Sequence, residues 1–84
     1  MTFADHLDVL ARLKNVKQLS IRENELTDLS FAQAMGVLEI IDFSDNYVTD
    51  VSPLAGLQNL KQVTGTDNPV SNYEVLGTSV TVVR

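Results

Sequence analysis

Three asparagines constrain this chain more than any other feature. Asn24, Asn46 and Asn68 recur 22 residues apart, and their surroundings recur with them. The segment from Val16 reads V-K-Q-L-S-I-R-E-N-E-L, that from Leu38 reads L-E-I-I-D-F-S-D-N-Y-V, and that from Leu60 reads L-K-Q-V-T-G-T-D-N-P-V. Between them, Leu7, Leu29, Val51 and Tyr73 share one column of the repeat. Leu10, Ala32, Leu54 and Leu76 share a second, and Leu13, Met35 and Leu57 a third. Polar columns agree as well: Thr27 with Thr49, Asp28 with Asp50, Ser30 with Ser52. A fixed period of this length means stacked units that bury their apolar faces against one another.

The three segments fit L-x-x-L-x-L-x-x-N-x-L, the leucine-rich-repeat pattern, with aliphatic exchanges and one glycine, Gly65. The pattern predicts a short strand in each repeat, centred on 18–21, 40–43 and 62–65, and a return segment over 30–35 and 52–57. Parallel strands need such a crossover. Ser30 and Ser52 stand where helix caps belong, and Pro53 suits a first helical position, where its missing N–H costs nothing. Gly36 and Gly56 limit the returns to one or two turns, partly 3₁₀. Asn offers donors and an acceptor, so Asn24, Asn46 and Asn68 are expected to form an interior ladder bonding the backbone where it leaves each strand. Gly65 is expected to leave a gap in the third layer unless Phe43 leans into it.

The fold expected is α/β: a short right-handed leucine-rich-repeat solenoid, with a parallel sheet on one side and short helical or 3₁₀ turns on the other. Its 84 residues allow a single domain over 1–84. That domain divides into an N-terminal half repeat or capping helix (1–15), repeats at 16–37, 38–59 and 60–79, and a terminal strand (80–84). Thr2 is placed to cap a helix from Phe3 to Leu13. Gly77-Thr78-Ser79 replaces the third return, and Val80-Thr81-Val82-Val83 reads as a last strand whose open edge invites self-association. The expected core comprises Leu19, Ile21, Leu26, Leu29, Leu38, Ile41, Phe43, Val48, Val51, Leu54, Leu57, Leu60, Val63 and Val70.

The phrase T-D-V-S-P-L-A-G-L-Q-N-L-K-Q-V, Thr49 to Val63, resembles the 22-residue repeats of bacterial internalin-like surface proteins. The resemblance covers residues 5 to about 76. It implies a curved solenoid with the parallel sheet on the concave side and the short turns on the convex side, and a protein-binding role at the cell surface or in secreted form, as in receptor-binding adhesins. The cap domain and the immunoglobulin-like or wall-anchoring region usual in that family do not fit here, which points to a fragment or a miniature relative. Asp5 and Asp8 stand where a signal peptide would carry a basic region, so no signal peptide is read.

Other chemistry is sparse. Six Lys plus Arg against eleven Asp plus Glu leave a net charge of −5, the wrong sign for nucleic acid. Cysteine is absent, and no apolar run is long enough for a membrane span. His6 is the sole histidine, in the column of Asp28 and Asp50, and reads as a solvated surface residue. Glu23, Asp45 and Asp67 share a column about 4.8 Å apart per strand. With Asp42 nearby they invite a calcium reading, but the column lacks the clustered loop ligands of a dedicated site and reads as an acidic rim. Neither catalysis nor a metal or cofactor is expected.

The leading expectation is a binding module that holds a protein partner on its concave sheet. The alternatives are a structural spacer from a longer array and a small stand-alone acidic inhibitor or effector. Strand alternation turns Gln18, Ser20 and Arg22 outward in the first strand. It does the same for Ile40, Asp42 and Ser44 in the second, and for Gln62, Thr64 and Thr66 in the third. Ile40 and Arg22 stand out as anchors among small polar neighbours, with Tyr47 as an aromatic at the rim. An Arg22–Asp42 ion pair is the plainer reading of that arginine.

Overall fold

The computed structural model describes residues 14–84. Thr2, His6 and the helix expected over residues 3–13 lie outside the described residues. Four strands follow one another in a parallel sheet, in chain order: β1 (Gln18–Ser20), β2 (Ile40–Asp42), β3 (Gln62–Thr64) and β4 (Thr81–Val83). Strands β1 to β3 each end one residue before the sequence pattern places their end, and β4 begins one residue later than expected, at Thr81. The ladder nevertheless runs on. The amides of Ile21, Phe43 and Gly65 donate to Asp42, Thr64 and Val83 carbonyls at 2.8, 2.9 and 2.9 Å. Register follows the repeat across the first three strands, Gln18 beside Ile40 beside Gln62, and then shortens: Thr81, only 19 residues on, pairs with Gln62. Gly77-Thr78-Ser79 accounts for the shorter path. β4 pairs with β3 along one edge, and no described strand pairs with the other.

The returns are 3₁₀ throughout: Ser30–Ala34, Ser52–Leu54 and, in the third repeat, Tyr73–Leu76 just before the Gly-Thr-Ser link. Ser30 and Ser52 do not cap them. The N-cap residues are Leu29 and Val51, neither with a side-chain bond. The capping carboxylates stand two residues ahead of the serines, where Asp28 and Asp50 each accept a backbone N–H, of Ser30 and Ser52, at 2.8 Å. The repeated Asp-x-Ser is thus a side-chain-closed turn that starts the return. Pro53 sits in the first turn as its missing N–H requires.

Between sheet and returns lies a continuous apolar core. Ile21, Leu26, Leu29, Leu38, Ile41, Phe43, Val48, Val51, Leu54, Leu60 and Val63 are buried as expected. Leu19, Leu57 and Val70 are only partly buried and pack against the cluster from its margin. Phe31, Ala32, Met35, Tyr73 and Leu76 join it. The last four occupy the apolar columns of the return segments. Phe31 belongs to no apolar column, since the next repeat has Pro53 there.

Asn46 and Asn68 bond the backbone across neighbouring repeats, while Asn24, half-buried, donates its side-chain NH₂ to the Arg22 carbonyl of its own repeat at 2.8 Å. Asn46 is buried, and its amide NH₂ donates to the carbonyls of Ile21, Phe43 and Ser44 at 3.0, 2.7 and 3.1 Å. Its Oδ1 accepts the N–H groups of Asn24 and Leu26, both at 2.9 Å. Asn68 repeats the arrangement one layer on, donating to Phe43, Gly65 and Thr66 carbonyls and accepting from Val48. One side chain therefore satisfies backbone groups in its own repeat and in the preceding one. Truncating Asn46 strands several of these groups, at roughly 1–3 kcal/mol each. Asn46→Ala should lower the melting temperature more than any exposed substitution, and calorimetry giving the parental value would show the ladder to be dispensable.

Gly65 is filled from two sides. A Cβ there would collide with the Tyr73 hydroxyl and lie 2.9 Å from Phe43 Cζ. Tyr73 Oη also donates to the Gly65 carbonyl at 3.3 Å. The column that holds Leu29 and Val51 thus switches to a tyrosine in the layer where the strand column loses its side chain. Gly65→Ala should cost about 1–3 kcal/mol through overpacking. Adding Tyr73→Phe, which removes the clashing oxygen, should return part of that loss. A double-mutant cycle by denaturant titration reads the coupling, and strict additivity would separate the two residues.

Candidate functional site: the outward sheet face

Strand alternation and register place two outward rows across the sheet. One runs Gln18, Ile40, Gln62, Thr81 and the other Ser20, Asp42, Thr64, Val83. The row between them, Leu19, Ile41, Val63 and Val82, faces the core. Gln18, Ser20 and Arg22 are exposed, while Ile40, Asp42, Gln62, Thr64 and Thr66 are half-buried by their neighbours. Thr81 and Val83 join the face without having been anticipated. A last strand was legible in the sequence, but its register depended on a return three residues shorter than the period.

Ser44 does not belong to this face. It is 2% exposed, and its hydroxyl and backbone N–H both donate to Asp42 Oδ1, at 2.6 and 3.0 Å. The reason is local: the chain leaves β2 after Asp42 and turns inward toward Asn46, carrying Ser44 beneath the carboxylate. Ser44 therefore fixes Asp42 in place. Arg22 stands on the other side, its Nε 3.9 Å from Asp42 Oδ2 and a terminal nitrogen 3.8 Å from Asp45 Oδ2. Both separations exceed a hydrogen bond, so the guanidinium is shared between two carboxylates without closing on either. Tyr47, 61% exposed, stands at the rim, where its backbone N–H donates to the Leu26 carbonyl at 2.7 Å.

The acidic column lies along the same rim. Glu23, Asp45 and Asp67 adopt left-handed backbone, with φ of 58°, 60° and 61°, and Glu25 does so at 59°. That region is disfavoured for residues with a Cβ, though Asp tolerates it better than most. Asp45 titrates above the ordinary carboxylate value, chiefly because it shares a hydrogen bond with Asp67. Partial burial and repulsion from Asp67 and Glu23 add to the rise, and Arg22 opposes it. Asp50, on the return side, is held low by the Ser52 N–H, the Asn72 amide and the Ser52 hydroxyl. Among the described residues no three His, Cys, Asp or Glu side chains are grouped to hold a metal ion. No helix among them is long and apolar enough to cross a membrane.

A crystal structure of internalin C2 from Listeria monocytogenes superposes on 87% of this chain with a TM-score of 0.79 and 36% sequence identity. The chain folds as a leucine-rich-repeat solenoid. The sequence of the leucine-rich repeat and WD repeat-containing protein 1 of Xenopus laevis is 35% identical over 60 residues, 71% of this chain. The chain spans 32% of the internalin C2 chain and 8% of the frog protein. No protein-family model matches it. Leucine-rich repeats are common to a bacterial and a eukaryotic match, so the relationship holds at the level of the repeat.

The acidic column carries a pH signature. The folded state favours the proton on Asp45, whose titration is raised above 3.8. That stabilisation is fully present below about 3.8, the unfolded value, and is lost as pH rises through the folded value. Asp45→Asn removes the repulsion while keeping a residue suited to left-handed backbone. It should melt at a higher temperature than the parent at neutral pH, with the difference vanishing in acid. A constant difference across the titration would mean that charge is not the cause.

Proposed function

We propose that this domain is a non-catalytic protein-binding module that seats its partner on the concave sheet. The observation that carries this reading is Ile40, an aliphatic side chain at the centre of the outward face, in register between Gln18 and Gln62. Ringed by polar neighbours, with the exposed Tyr47 at the rim, it has the composition of a small anchor point. Internalin C2 and the frog protein are both repeat proteins, and solenoids of this kind present a broad continuous surface suited to a partner protein. A position at the cell surface or in secreted form accords with the likeness to internalin C2 and belongs to the same proposal.

A second reading, a spacer within a longer array, is favoured by Gln18, Ser20, Gln62, Thr64 and Thr66, which are polar and of modest size. Selection of a random peptide-display library on the immobilised chain separates the two. Enriched clones should lose binding to Ile40→Asp and keep it to Val75→Asp, a change in the Tyr73–Leu76 return, while circular dichroism and melting temperature stay parental. Clones that respond only to Val75→Asp would move the site to the convex side, and a selection that enriches nothing would leave the spacer.

A further inference from the structure

Within the concave face one group is prepared for a ligand in a way its neighbours are not. Asp42 lies at the centre of the outward row between Ser20 and Thr64. Its Oδ1 is saturated by the Ser44 hydroxyl and N–H, which fixes the plane of the carboxylate. Its Oδ2 accepts no hydrogen bond from the described residues and meets only the Arg22 Nε, at 3.9 Å. Arg22 is itself divided between Asp42 and Asp45 and is more than half exposed. A shared, exposed ion pair of that length holds little free energy and yields readily to a better-placed cation. Glu23, Asp45 and Asp67 line the adjoining rim, and the chain carries a net charge of −5, so the potential over this face favours a positive group.

We propose that Asp42 Oδ2 receives a Lys or Arg side chain of the protein partner, with an apolar neighbour of that residue resting on Ile40. The inference rests on the concave-face reading and names the chemistry of its partner. Ser20 and Thr64 flank the carboxylate with hydroxyls able to accept the remaining N–H donors of the cation. Arg22 acts as an internal occupant that the partner's cation displaces or joins.

The test is an NMR titration of the whole chain with acetyl-Leu-Arg-Leu-amide and its counterpart acetyl-Leu-Gln-Leu-amide. The arginine peptide should shift the amides of Ser20, Asp42 and Thr64 and bind about tenfold more tightly than the glutamine peptide, the advantage shrinking as salt is raised. Asp42→Asn, which keeps an acceptor for Ser44, should abolish that advantage. Arg22→Gln should strengthen arginine-peptide binding, a gain that misfolding cannot produce. Equal binding of the two peptides at these amides would overturn the cation assignment and leave the concave-face reading standing. Shifts confined to Glu23, Asp45 and Asp67 would place the cation on the rim and overturn it likewise. No shift at any concave amide would overturn both.

Discussion

Backbone groups left unpaired where each strand ends govern this structure. A three-residue strand forms few ladder bonds, and the chain then dives into an apolar interior where polar groups without partners are costly. Asn46 answers both demands, donating to three carbonyls and accepting two N–H groups across two repeats. With those groups satisfied, Ile21, Ile41, Phe43 and Val63 can pack as one core. Each repeat is completed by its neighbour, and for that reason stability resides in the stack and not in any one repeat.

The third layer shows how the stack absorbs a departure from its own pattern. Gly65 gives up an inward side chain, and a repeat obeying the period strictly would carry a void there. Phe43 from the preceding layer and Tyr73 from the same repeat converge on the space, and the tyrosine hydroxyl bonds the glycine carbonyl. Arg84 lies over the Tyr73 ring, 5.0 Å from its centroid, and covers the outer side of that ring. Two columns that look imperfect separately are complementary together.

The same turns that satisfy the backbone organise the charge. The left-handed residues Glu23, Asp45 and Asp67 come into one line because the sheet is in register, and their mutual repulsion is only partly met by Arg22. Ser44, drawn inward on the way to Asn46, aligns the Asp42 carboxylate on the outward face. Interior hydrogen bonding and the chemistry of the outward sheet face are thus consequences of one local path of the chain.

Much of this was readable from residue spacing. The 22-residue recurrence of Asn24, Asn46 and Asn68 specified repeat, strand positions and ladder, because a solenoid maps sequence period directly onto spatial neighbours. The outward row of Gln18, Ile40 and Gln62 followed from alternation in a sheet without register slips. Other features required three dimensions. Ser44 looked exposed by alternation, yet the turn after β2 breaks the two-residue rhythm and buries it. Asp28 and Asp50, not the serines, close the return turns, since their carboxylates reach the N–H two residues on. Phe31 became core without belonging to a repeat column, and Thr81 and Val83 joined the face only once the shortened third return set the register of β4. Periodicity determines which repeat positions stack; where a side chain points beyond the strands depends on the local turn and on the neighbouring layer, and that only the folded chain decides.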